Sequence, residues 1–295
     1  MSTQAPRTSK TRVRVWTIDG ERAHEHADHL ATEEPLEIRL LAGGARATVA
    51  VTMRTPGADF ALAAGFLFSE GIIAHREEIR RITYCVDAEI DAEQRYNIVN
   101  VELRAEALPT LATLDRHFLT TSACGVCGKA SLDALRLRGQ TPVPPGPVFD
   151  AALITSLPER LRAAQGLFDA TGGLHAAGLF DAAGNLLAVR EDVGRHNALD
   201  KLIGWALMEG RLPLHEHIVL VSGRVSFELV QKCLAAGVPV VCAISAPSSL
   251  AASLAGEFNM TLIGFLRGDR FNVYTGRNRV STAEAQRAQR TQKRE

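Results

Sequence analysis

A chain of 295 residues, 46% apolar and 22% charged, is long enough to bury a sizeable core, and its composition excludes broad disorder. A formal net charge of zero disfavours general nucleic-acid binding. No apolar run reaches the roughly 18 residues that a membrane-crossing helix needs, and the amino terminus lacks a leader-like apolar core, so a cytoplasmic protein is expected. The five cysteines, an odd number, do not make a disulfide scaffold. The zero charge hides basic ends, with Arg7, Lys10, Arg12 and Arg14 unopposed in the first fourteen residues and six basic against two acidic groups over 277–295. Both ends are expected as solvated tails, 1–12 and 277–295.

In chain order, Val13–Ile18 alternates like a strand. Leu36–Leu40 and Thr48–Thr52 read as strands joined through Gly43-Gly44. Asp59–Glu70 carries Phe60, Leu62, Ala63, Phe66 and Leu67 at helical spacing, with Gly71 suited to its end. Ile82–Val86 and Asn97–Leu103 are further strand candidates. A proline-rich stretch, 141–147, closes this mixed α+β subdomain, taken as 13–140. In the second half, 148–276, Leu186–Val189 reads as an apolar strand. Then Ile218–Val221, Val238–Ile244 and Thr261–Leu266 form apolar strands separated by helices over Ser226–Ala236 and from Ser248 to about Phe258. This rhythm indicates a parallel α/β layer, whose binding sites lie at the carboxyl ends of its strands.

The most informative motif is Ser122-Ala123-Cys124-Gly125-Val126-Cys127-Gly128-Lys129. Two thiols at C-x-x-C spacing can bind a metal, form a disulfide or carry sulfur as a persulfide. No second ligand pair exists, since Cys85, Cys233 and Cys242 are isolated, and Cys242 sits in an apolar strand where a buried, inert thiol is the simple expectation. The H-x-E and P-C-x-x-C signature of zinc deaminases is absent too, because Ala123 stands in the proline position. A run of helix formers, Ala130–Leu137, follows the pair, and a helix amino terminus with Lys129 nearby would favour thiolate. The flanking glycines leave both sulfurs open.

A second stretch, Arg190 to Lys201, is dense in ionisable groups directly after a strand. It reads either as a pocket with His196 as donor or proton carrier, or as a helix start capped by Asp192 with Arg195 and His196 facing water. A third set comprises Ser222-Gly223-Arg224, Ser248-Ser249 and Arg267-Gly268-Asp269-Arg270. These loops lead into helices or join strands at one sheet edge, where free N–H groups and arginines suit phosphate oxygens. His175, after Gly172-Gly173, is a further candidate. Neither G-x-G-x-x-G nor a Walker A sequence occurs.

Taken together, Ser122–Gly128, Thr171–His175, Glu191–Lys201, Ser222–Arg224 and Phe265–Tyr274 resemble the FdhD family, accessory sulfurtransferases of formate dehydrogenase. The resemblance implies an α/β fold: a three-layer α/β/α, cytidine deaminase-like core in the C-terminal half and a smaller mixed α+β N-terminal subdomain. It implies that sulfur is accepted from a cysteine desulfurase as a persulfide on Cys124, with Cys127 assisting. That sulfur would pass to the molybdenum cofactor in its bis-molybdopterin guanine dinucleotide form. Phe265, Leu266, Arg267, Gly268, Asp269 and Arg270 would line the cofactor site, with His175, His196, Ser222 and Arg224 as weaker candidates and no metal bound by the protein itself. The implied partners are the desulfurase and formate dehydrogenase, with a homodimer as the expected assembly. The alternative is a molybdenum cofactor-binding chaperone without sulfur chemistry, and a zinc-dependent deaminase is the third possibility.

Overall fold

The computed structural model describes residues 8–109 and 140–283. In chain order its strands and helices are β1 (Lys10–Asp19), β2 (Arg22–Ala31), β3 (Glu34–Ala42), β4 (Ala45–Arg54), α1 (Asp59–Ser69), β5 (Ile79–Tyr84), β6 (Ile98–Leu103) and β7 (Phe149–Asp150). They continue through α2 (Ala151–Ala163), α3 (Gly166–Thr171), β8 (His175–Phe180), β9 (Leu186–Asp192), α4 (Arg195–Met208), β10 (Ile218–Val221) and α5 (Phe227–Ala235). The last are β11 (Val240–Ala243), α6 (Ser249–Glu257), β12 (Thr261–Arg267), β13 (Arg270–Thr275) and β14 (Val280–Ser281). The fold is mixed α/β.

The chain forms two compact units that interleave along the sequence. The first comprises, among the described residues, 8–109 together with Gln165–His175 and Glu191–Glu209, and the second comprises the rest. The sequence suggested a single crossing near the proline-rich stretch; instead the chain crosses several times. Nothing local marks these crossings, because they depend on contacts between residues far apart in sequence.

In the first unit, a four-stranded sheet runs in the order β4-β3-β6-β5. β3 is parallel to β6, and the other pairs are antiparallel. Alternation along β3 places Leu36, Ile38 and Leu40 in the core and Glu37 and Arg39 on the opposite face. β5 begins and ends earlier than the apolar run 82–86 suggests, because its pairing with β6 starts at Ile79–Leu103, and Val86 beyond it is 85% exposed. α1 packs against α4 at a backbone crossing that only glycine permits. A Cβ at Gly65 would overlap the carbonyl oxygen of Asp200, and one at Gly204 would overlap that of Ala61. β1 and β2 form a separate antiparallel ribbon. β1 already begins at Lys10, so a strand starts inside the expected N-terminal tail.

The second unit is built on a six-stranded sheet in the order β13-β12-β11-β10-β8-β9. β10, β11 and β12 are mutually parallel, as the sequence rhythm predicts, and α5 and α6 are their crossovers. β8 and β13 flank them antiparallel, so the sheet is mixed rather than wholly parallel. Ile154, Leu157 and Phe180 pack with Leu220, Val240 and Ile263 in its core. The start of the expected C-terminal tail, 277–295, is folded instead: β14 pairs in parallel with β7, and Arg279, 1% exposed, donates to the carbonyls of Asn259 at 2.6 Å and Pro144 at 2.9 Å. The two carbonyls supply acceptors for the buried guanidinium, as a charged group taken out of water requires.

Candidate functional site

In the second unit three strand-end loops are stitched together through their backbones. After β10, Val225 N–H donates to Ala246 C=O at 3.1 Å and Ser248 N–H to Val225 C=O at 2.9 Å. After β11, Ser245 C=O accepts from Phe265 N–H in β12 at 3.1 Å. Close approach is enforced at Gly264, where a Cβ would lie 2.8 Å from Pro247 Cδ and 3.0 Å from Tyr274 Cε2. The 222–226 loop, the 245–248 loop and the end of β12 thus lie side by side, as predicted for one sheet edge. Ser222 anchors this edge by exchanging bonds with Ala176, its N–H donating at 3.0 Å and its Oγ accepting at 2.9 Å.

The local backbone of β12 is unusual. Phe265 holds φ at +53°, a left-handed conformation costing about 1–3 kcal/mol in a non-glycine residue, at a break in register between Gly264 and Arg267. The Arg267 guanidinium lies 5.7 Å from the Phe265 ring centroid, within cation–π range. Arg267 faces Arg270 across the β12–β13 hairpin, whose turn uses Gly268 at φ +54°. Arg267, Gly268, Asp269 and Arg270 are all exposed, and so is Arg224. Leu266 departs from its expected role as lining, because its side chain is fully buried in the core and only its backbone borders the edge.

Two helices begin at this edge. α5 starts after Ser226, and α6 after Ser248, whose Oγ accepts from Ala251 N–H at 3.2 Å. Both present positive dipole ends at the carboxyl ends of parallel strands. With Arg224, Arg267 and Arg270 they form a cationic rim suited to phosphate oxygens, opposed only by Asp269 among the candidate residues.

His175 and His196 belong to the first unit. Burial is the main cause holding His175 below its usual value; Arg195 and then His196 add to the effect, and Asp192 opposes it. The polar stretch around them is largely structural. Asp192 is fully buried and its Oδ2 lies 2.7 Å from Lys201 Nζ while accepting from Thr55 N–H at 3.1 Å. Its Oδ1 accepts from Gly194 N–H at 2.8 Å and Asn197 Nδ2 at 3.1 Å. Lys201 also donates to Thr55 C=O at 2.7 Å. Gly194, not Asp192, occupies the helix N-cap position. The neighbouring Arg54–Asp59 pair, at 3.0 Å and also buried, with Tyr84 Oη 3.2 Å from Asp59 Oδ2, carries no local sequence signal, because its members are scattered among strands and a helix start.

Cys124 and Cys127 lie outside the described residues. Cys85, Cys233 and Cys242 are buried free thiols. Burial pushes the Cys233 thiol up to about 12 and raises that of Cys242 as well, which suits inert core residues. Among the described residues no group of three or more metal-ligating side chains converges, and no helix is long and apolar enough to cross a membrane.

Comparison with known proteins defines the class. Residues 31–281 match the model of the FdhD/NarQ family. The chain is 53% identical to the sulfur carrier protein FdhD of Streptomyces avermitilis over 260 residues, covering 88% of this chain and 91% of that one. It is 48% identical to the namesake from Mycobacterium tuberculosis, covering 91% and 97%, and 44% identical to that of Sulfurisphaera tokodaii, covering 91% and 98%. A crystal structure of a formate dehydrogenase accessory protein from Desulfotalea psychrophila superposes with a TM-score of 0.69 at 26% identity, over 93% of this chain and all of that one. The chain belongs to the FdhD/NarQ family.

Proposed function

We propose that this protein is a sulfur carrier that serves formate dehydrogenase, taking sulfur from a cysteine desulfurase and passing it to the molybdenum cofactor. The observation that carries this reading is the 53% identity, across nearly the whole chain, to a protein named as a sulfur carrier. The C-x-x-C pair in this sequence supplies the chemistry. The Cys124 thiolate attacks the outer sulfur of the desulfurase persulfide, the S–S bond there breaks, and the desulfurase thiolate leaves. Cys124 then holds the sulfur as its own persulfide. Attack of the Cys127 thiolate on Cys124 Sγ would release that sulfur as sulfide and leave a disulfide between the two cysteines. A dithiol reductant would restore the pair, so electrons balance.

The recipient, bis-molybdopterin guanine dinucleotide, is cargo rather than a resident cofactor. The cationic rim supports the reading that Arg267, Arg270 and Arg224 contact its phosphates, with Ser222 fixing the loop beside them. The backbone from Phe265 to Asp269 would border the same group, Leu266 through its main chain alone. A cytidine deaminase-like layering of the second unit, a cytoplasmic setting and a homodimer belong to the same proposal.

The test is mass spectrometry of the protein after incubation with cysteine and a desulfurase. The peptide holding Cys124 gains one sulfur atom, and Cys124→Ala abolishes the gain. An adduct unchanged in Cys124→Ala sinks the assignment. A Cys124→Ala, Cys127→Ala double variant that still supports formate dehydrogenase would instead favour a cofactor chaperone without sulfur chemistry.

A further inference from the structure

The β1–β2 ribbon has two unlike faces. Along β1, Val13 and Val15 are half-buried, whereas Arg12, Arg14, Trp16 and Ile18 between and beyond them are exposed. Trp16 is 65% and Ile18 67% exposed, which is unusual for side chains of that size. Strand alternation puts Lys10, Arg12, Arg14, Trp16 and Ile18 on this single open face. Their cross-strand neighbours on β2 are Ala31, His29, Ala27, Glu25 and Ala23, mostly too small to cover them. The one acidic neighbour, Glu25, reaches Arg14 at 3.5 Å, and the pair is exposed. Neither Lys10 nor Arg12 has an acidic partner among the described residues.

The ribbon's edges also differ. α3 packs against β2, and the chain after α3 comes close enough that a Cβ at Gly173 would lie 3.9 Å from that of Ala31, so the β2 side of this face is half-buried at Ala31 and His29, while the β1 residues from Lys10 to Ile18 on it stay exposed. On the β1 side no third strand pairs among the described residues. Half of the N–H and C=O groups of β1 therefore point outward from a two-stranded ribbon, an arrangement that is marginal in water unless something packs on it. Basic residues on an edge strand can serve only to block aggregation, but that role does not account for Trp16 and Ile18 on the same face.

We propose that the outer edge and open face of β1 receive an extended acidic polypeptide segment of a partner protein, added as a third, antiparallel strand. Main-chain hydrogen bonds would supply the pairing, and alternate side chains the selectivity. The complementary strand carries two apolar residues, opposite Ile18 and Trp16, followed at every second position by three acidic ones, opposite Arg14, Arg12 and Lys10. Ion pairs on so exposed a face are screened by salt, so binding weakens as ionic strength rises.

The full-length protein bearing Trp205→Phe, which leaves Trp16 as its single tryptophan, is titrated with the synthetic peptide Val-Thr-Val-Thr-Glu-Thr-Glu-Thr-Glu. Trp16 emission shifts to the blue on saturation, the shift is reversed by salt, and affinity falls roughly tenfold in Arg12→Glu, Arg14→Glu. Circular dichroism of that variant checks that the ribbon charges alone have changed. No shift overturns the proposal, and so does an equal response to the peptide with lysine in place of glutamate, or an affinity untouched by the two reversals. A shift with phosphatidylglycerol vesicles but not with peptide reassigns the face to lipid. Blue emission from the protein alone that reddens on dilution reassigns it to a second copy of this chain. Either result also overturns the proposal.

Discussion

The stretch 191–201 and the hairpin 265–270 carry similar densities of charge and polarity, yet they do opposite things. In the first, Asp192, Asn197, Asp200 and Lys201 are all buried and tied to one another or to Thr55, Met53 and Ser69. In the second, Arg267, Asp269 and Arg270 are exposed, and the one residue fully inside is the apolar Leu266. A buried ion pair holds its partners in place because either charge left alone would be stranded away from water. An exposed arginine at a sheet edge is held by little and is available to an anion arriving from outside. Polar density in a sequence therefore signals a constraint, and burial decides whether that constraint is the fold or a ligand.

Lys201→Ala is the sharpest way to break this contrast. It strands Asp192 without its cation and is expected to destabilise the protein by about 3–5 kcal/mol, measured by urea denaturation. Burial holds the Lys201 amine below its usual value, while Asp192 first and Asp59 after it oppose the shift. A loss below about 1 kcal/mol would show that the pair is not the anchor described. Gly65→Ala comes next. Its methyl would collide with the backbone of the helix that carries this stretch, at a cost of about 3 kcal/mol or slightly less.

At the hairpin the sign of the experiment reverses. Arg267→Ala with Arg270→Ala should leave stability within about 0.5 kcal/mol of the parent. Binding of guanosine diphosphate, a fragment of the proposed cargo, should weaken at least about tenfold by calorimetry, as expected for the loss of charge-assisted hydrogen bonds. Large unfolding with unchanged binding would erase the distinction between the two regions. The smallest effect concerns His175. Its folded pKa lies below the unfolded 6.5, so the folded state resists the proton that the unfolded chain accepts. Stability is therefore level above that value and falls as pH drops through it toward the folded one. His175→Gln should flatten part of this acid slope, the remainder coming from groups such as His217, which is also lowered by burial.

Much of the second unit was legible from sequence. Ile218–Val221 coincides with β10 because a fully buried parallel strand is apolar at every position, and Ser248 marks the start of α6 by capping it. β2 gave no such signal. Its His, Glu, Asp and Ala residues are exposed along most of their length, so no apolar alternation exists to be read. α2 was obscured by Pro158 within it, a residue that normally argues against a helix interior. The interleaving was illegible for a different reason: the crossing of α1 with α4 joins Gly65 to Gly204, and each glycine looks ordinary in its own neighbourhood. At the candidate site, the loops at the sheet edge were foreseen from strand ends and arginines. The left-handed Phe265 was not, since an aromatic residue in an apolar run reads as plain strand. The Cys124 and Cys127 pair rests on sequence and family alone.

Arg279 sets where the carboxyl terminus can be altered. Its guanidinium reaches two carbonyls, one in the turn after α6 and one in the proline-rich stretch, so a residue near the end of the chain secures segments 20 and 135 positions earlier. A deletion from the end that reaches Arg279 should therefore lower the melting temperature, and Arg279→Ala alone should reproduce the drop.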